Sequence, residues 1–151
     1  MNTNKTITIK RTLNAPIASV WAAWKTPEHI AKWWNPTGGE TRIVEHSFTK
    51  NGSWKYAMLM PNNNEFIAEG SYTEIIPLEK IASIANFHPM TIGICIESVF
   101  KELGTKTELN FHIIHPTEEY KTQQENKGVA KGWNAVFDRL EVFLNETDLP
   151  M

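Results

Sequence analysis

The 151-residue chain has one cysteine, Cys95, which excludes an internal disulfide and any cysteine-rich metal site. Its neighbours Ile94 and Ile96 read as strand, and nothing close in sequence would lower the thiol pKa, so an inert thiol is expected rather than a nucleophile. No apolar run approaches the roughly 20 residues needed to cross a bilayer, and the start Met1-Asn2-Thr3-Asn4-Lys5 has no signal-peptide core. A cytoplasmic location without membrane insertion is the resulting expectation. Excess positive charge is also missing: 15 Lys plus Arg stand against 17 Asp plus Glu, a formal net charge of -2. Without a basic field to neutralise phosphates, nucleic acid is not an expected partner. The chain has no GxSxG elbow, no phosphate-cradling glycine loop and no HExxH. His29, His46, His88, His112 and His115 lack acidic or cysteine neighbours at ligand spacing, and His112 and His115 are not two apart on their strand. No metal and no cofactor are therefore expected.

What the chain does contain is tryptophan, six in all, with Trp21, Trp24, Trp33 and Trp34 close together. At 41% hydrophobic and 21% charged residues it has the composition of a globular domain with a real core, read as one domain over 1–151. Thr6 to Leu13 alternates, with Ile7, Ile9 and Leu13 on one side, and reads as a half-buried first strand. Ile17, Val20, Trp21 and Trp24 then recur at i, i+3, i+4 and i+7, one face of a helix behind Pro16. Thr26-Pro27 stops that helix and starts a second short one to about Trp33, which Asn35-Pro36-Thr37-Gly38-Gly39 cannot continue.

From Glu40 to His115 the period is two, interrupted at Asn51-Gly52, Pro61 to Asn64, Pro77, His88-Pro89 and Gly104. These connections are too short for parallel crossovers, so about six strands in antiparallel succession are expected. The last segment returns to helical spacing. Thr122-Gln123-Gln124-Glu125 fits a capping box, and Val129, Trp133, Val136, Phe137, Leu140, Phe143 and Leu144 form an apolar stripe. One long helix from Thr122 to Asn145 is the expectation. Together the elements predict an α+β architecture: a curved antiparallel sheet of about seven strands around a long C-terminal helix, with two short N-terminal helices closing one end.

The segments carrying these signals are Ala15-Pro16, Val20-Trp21, Trp24, Thr26-Pro27-Glu28, Trp33-Trp34, Pro36 and Gly38-Gly39, then Gly52 to Met58 and Gly70 to Pro77. Gly132-Trp133-Asn134 and Phe137-Asp138-Arg139-Leu140 complete them. In this order they resemble the START-like superfamily, also called SRPBCC, helix-grip or Bet v 1-like. Within it they are similar to the bacterial branch related to the activator of the 90-kDa heat-shock-protein ATPase. The resemblance extends from about Thr6 to Leu144. It implies a cavity between the sheet and the last helix that binds a hydrophobic or aromatic small molecule, such as a lipid or polyketide. It also leaves two alternatives: a cyclase, dehydratase or hydrolase using the same cavity, and a chaperone-associated regulator of a heat-shock-protein ATPase, with a chaperone protein as partner. One scaffold of this kind hosts many activities.

Side-chain alternation picks out the concave face. Trp54, Tyr56, Met58 and Met60 share one parity, opposite Phe66, Ala68, Gly70 and Tyr72. Ile92, Ile94, Ile96, Ser98 and Phe100 share another, as do Thr107, Leu109, Phe111 and Ile113, while Lys55, Glu69, Glu97 and Lys101 face away. With the flanking helices this makes Trp34, Trp54, Tyr56, Met58, Phe66, Ala68, Tyr72, His88, Ile96, Ser98, Phe111, Trp133 and Phe137 the candidate ligand-binding residues. Tyr56, Tyr72 and Ser98 could orient a ligand, and the methionines could adapt to it. His88, in a loop between strands, overhangs the mouth, where an imidazole can serve as acid, base or donor. Gly128 and Gly132 either allow close approach of a ligand or mark a helix bend. No catalytic residue is assigned, and binding without catalysis is favoured. Whether the gap is hollow or filled by these same side chains stays open, as does monomer against homodimer.

Overall fold

The computed structural model describes residues 3–88 and 91–146. Among these, β1 (Thr6–Leu13) leads into α1 (Ile17–Lys25) and α2 (Pro27–Trp33). Six strands follow: β2 (Thr41–His46), β3 (Ser53–Leu59), β4 (Glu65–Ile76), β5 (Lys80–His88), β6 (Thr91–Leu103) and β7 (Lys106–Ile114). Two helices, α3 (Glu118–Asn126) and α4 (Val129–Glu146), end the described chain. The strands form one sheet in the order β1-β7-β6-β5-β4-β3-β2, antiparallel throughout. Leu103 pairs with Lys106 across a two-residue loop, and the first loop residue, Gly104, takes φ +70, a conformation that suits the twist of an antiparallel hairpin.

Three irregularities bend this sheet. One extra residue sits on β2 between Ile43 and Glu45, and one on β4 between Tyr72 and Glu74. The third lies where Ala85↔Ile94 gives way to Phe87↔Thr91, so that Ile92 and Gly93 oppose Asn86 alone. Each bulge adds twist and curves its strand, which lets a sheet of this width wrap a helix. The third also corrects the alternation expected for β6. Gly93 adopts φ +72, and its N–H donates to Asn86 Oδ1 at 2.7 Å. Parity therefore slips by one, so that Thr91 is buried and Ile92 is 48% exposed, although alternation alone puts Ile92 on the concave face.

The segment expected as one helix from Thr122 to Asn145 is two. Gly128, at φ +79, turns the chain between α3 and α4, and its N–H bonds the Glu125 carbonyl at 3.0 Å, the kind of glycine ending that terminates a helix. The N-cap is Thr117, whose hydroxyl accepts from the Tyr120 N–H, and Thr122 lies inside α3. In α4 the stripe Trp133, Val136, Phe137, Leu140 and Leu144 is buried against the concave face. Its polar side is tied to the sheet edge: Arg11 of β1 donates to Asp138 Oδ1 at 2.7 Å, to Asn134 Oδ1 at 3.2 Å and to Glu141. Arg11, with only 17% of its side chain exposed, thus clamps α4 over the edge strand through charge-assisted bonds.

Candidate functional site

The space between sheet and helix is not uniform. At one end α1 and α2 push large rings into it. Trp24 lies 4.7 Å from Trp33 and 5.0 Å from Phe100, Trp21 lies 5.9 Å from Phe100, and Trp33 donates its indole N–H to the Ala23 carbonyl at 3.1 Å. Toward the middle, Phe111 sits 4.5 Å from Trp133 and 5.1 Å from Phe137. The void left among Trp24, Ile30, Trp54, Tyr72, Ser83, Ile96, Ser98 and Phe111 is about 30 Å³, room for a water molecule and no metabolite. Trp54 closes its indole N–H on Ser83 Oγ at 2.7 Å.

At the other end lies an open cavity of about 470 Å³, inside the range of small-molecule sites. The sheet contributes Met58, Phe66, Phe87, Thr91 and Ile94, with Met60 just beyond β3. Trp34, Pro36 and Thr37 close one side, and Gln124, Lys127, Gly128, Val129, Gly132, Trp133 and Val136 of the α3–α4 junction close the other. The loop after α2 is held in place by Asn35, itself 2% exposed. Its amide donates to the Leu59 carbonyl at 3.0 Å and accepts from the Thr37 N–H at 2.9 Å and the Thr37 hydroxyl at 2.7 Å. This side-chain turn fixes Pro36 and Thr37 at the rim. Trp34 stands between the two regions, 5.3 Å from Tyr56 and 5.5 Å from Trp133, and borders both voids.

The residues proposed from alternation therefore divide. Trp34, Met58, Phe66, His88 and Trp133 border the large cavity, while Trp54, Tyr72, Ile96, Ser98 and Phe111 border the small void. Tyr56, Ala68 and Phe137 border neither and are packed in the core. Phe87 had a usable signal in the period-two run Ile81, Ser83, Ala85 and Phe87. Gln124 had none, being one more polar residue in a polar segment.

Titratable groups are few at the cavity. His88 pairs in register with Ile67, on the outer parity that also holds Glu69, and its Nε2 lies 2.7 Å from Glu69 Oε2. The imidazole is thus engaged by a carboxylate of the neighbouring strand. At the end of the edge strand β2, the half-buried His46 donates its Nε2–H to the Lys25 carbonyl at 2.8 Å, which leaves Nδ1 to accept from the Tyr56 hydroxyl at 2.8 Å. Tyr72 continues the chain to Tyr56 at 3.5 Å. Burial lowers the His46 pKa and raises that of Tyr56, with Tyr72 pushed up to about 12, so this relay is uncharged near neutrality. Among the described residues no three His, Cys, Asp or Glu side chains gather as a metal site would need. Cys95 lies exposed, and its thiol pKa is raised by partial desolvation and then by Glu97. No described helix is long and apolar enough to cross a membrane.

A bent antiparallel sheet gripping a C-terminal helix, with a cavity at one end of the grip, is the helix-grip class of α+β domain. More narrowly, the chain belongs to the family described as Activator of Hsp90 ATPase homolog 1-like protein, whose family model matches residues 14–145. Protein Ms6760 from Mycobacterium smegmatis superposes with a TM-score of 0.85 at 19% identity, over 96% of this chain and 94% of that one. Protein CV1439 from Chromobacterium violaceum gives 0.79 at 22% identity, over 95% and 99%. A Staphylococcus epidermidis protein gives 0.82 at 24% identity, over 100% and 96%. At these identities the likeness is one of fold. Among curated proteins, none matches the chain in sequence.

Proposed function

We propose that the chain binds a hydrophobic or aromatic small molecule, of lipid, polyketide or similar character, between the sheet and the α3–α4 junction, and that it does so without chemical transformation. The observation that carries this reading is the cavity of about 470 Å³, walled by Trp34, Met58, Phe66, Phe87, Ile94 and Trp133, in a domain whose interior is otherwise filled by rings. Apolar surface removed from water on binding supplies about 25 cal/mol per Å², and methionines at 58 and 60 adapt to ligands of different outline. Binding is favoured over catalysis because, among the described residues, the acid–base pair at the cavity is the half-exposed His88–Glu69 contact and not a pair set within the apolar wall. His88, its bordering imidazole residue, is held by Glu69 on the outer parity. A thermal-shift screen of apolar metabolites is the test. A ligand at one hundred times its Kd stabilises the native state by about 2.7 kcal/mol, because the unfolded chain does not bind it. For a domain of this size the midpoint then rises by about 5–10 °C. Absence of any shift across lipids, flavonoids and polyketides would reject the reading.

A further inference from the structure

We infer that the ligand presents an uncharged hydrogen-bond acceptor, a ketone, ester or amide carbonyl, to the side-chain amide of Gln124; this rests on the reading of the cavity as a ligand site. Gln124 is the fully buried residue of α3, a mostly polar helix that also packs Tyr120 on the core, and is 2% exposed where it borders the cavity. Its Oε1 accepts from the hydroxyl of Thr91, 3% exposed, at 2.7 Å. With the amide in this orientation, the other end, Nε2, is buried with no hydrogen-bond partner among the described residues. The α3 helix has thus turned one amide inward, used its oxygen to accept from β6, and left the donor unpaired on a residue that borders an apolar cavity.

The donor sets the chemistry of what belongs there. A pure hydrocarbon filling the cavity would leave Nε2 without a bond, whereas a carbonyl oxygen brought against it would supply the missing acceptor. A carboxylate is disfavoured for the opposite reason. Its charge would lose water against Trp34, Met58, Phe66, Phe87 and Ile94, and one neutral amide does not compensate an ion in such surroundings. Lys127, the ammonium at this cavity, is solvent-exposed at the end of α3, where its charge is screened.

Three planar probes of nearly equal shape separate these cases by equilibrium dialysis at pH 7: 2-acetylnaphthalene, 2-isopropenylnaphthalene and 2-naphthoate. The expected result is a Kd for the ketone about tenfold below that of the alkene, with the carboxylate weakest. Replacing both partners together, Gln124→Leu with Thr91→Val, leaves no orphaned group and should abolish the ketone's advantage while the alkene binds as well as before. Gln124→Met alone serves as a second variant should the pair fail to fold. Equal binding of ketone and alkene by the unmodified protein overturns the inference and leaves the cavity reading intact. So does a ketone preference that survives the substitutions, or 2-naphthoate binding tightest. If none of the three binds, the cavity reading falls and the inference with it.

Discussion

The two ends of the gap between sheet and helix are built from the same strands with the same alternation, yet one is solid and the other hollow. At the solid end, Phe100 meets Trp21 and Trp24 of α1, Trp24 packs on Trp33 of α2, and Trp24 closes with Trp54, Ile96 and Ser98 on the small void. At the hollow end, Met58, Phe66, Phe87 and Ile94 face a helix junction that supplies Gly128 and Gly132. An ideal Cβ built on either glycine meets no atom within 4 Å. The difference lies in what the opposing element contributes, not in the sheet. A strand pattern fixes which side chains point inward, and the volume left over depends on the residues brought against them.

The largest expected contrast is in truncation. Trp33→Ala removes a ring that is 1% exposed and hydrogen-bonded to Ala23, and should cost about 3–5 kcal/mol in denaturant unfolding. Phe66→Ala, at the half-buried wall of the cavity, should cost only about 1–2 kcal/mol, since fewer contacts exist to lose. Equal losses would mean the hollow end is packed in solution. Insertion should show the reverse asymmetry. Ala68→Leu, at a site with no exposure, should destabilise by about 1–3 kcal/mol. Gly132→Ala, in a helix interior facing open space, should stabilise by about 0.5–1 kcal/mol.

A smaller effect sharpens the electrostatic side of the contrast. Burial holds the His46 pKa below its ordinary 6.5, so the unfolded chain takes up the proton first as pH falls. The stability contributed by neutral His46 is complete above about pH 6.5 and is lost progressively below it. His46→Gln should accordingly flatten the fall in stability between about pH 7 and pH 5, measured as the difference from the unmodified protein. An unchanged slope in His46→Gln would contradict the partial desolvation of this imidazole.

Much of the fold was legible because it rests on period. β1 spans the alternating Thr6 to Leu13, and α1 carries Ile17, Val20, Trp21 and Trp24 on its buried face. The inward parity of β7, Thr107 through Ile113, also follows from alternation. Two features escaped for local reasons. Gly93 slips the parity of β6 by one residue, and a period cannot register its own interruption when the flanking residues are all isoleucine. Gly128 ends α3, a choice between kink and break that depends on a positive φ no sequence displays. The cavity was only half legible for a deeper reason. Met58 and Phe66 announce their direction through the pleat, whereas Gln124 borders the cavity only because α3 stops where it does and docks against Thr91.

The central claim is that the hollow end takes up one apolar small molecule, and titration with the uncharged fluorophore N-phenyl-1-naphthylamine tests it most directly. The account predicts saturable binding of one probe per chain, with blue-shifted emission. Gly132→Trp, which fills the space beside Trp133, should abolish it, while Cys95→Ser on the exposed face should leave it unchanged. Binding that survives Gly132→Trp in a folded protein, or that rises without saturation, would contradict it.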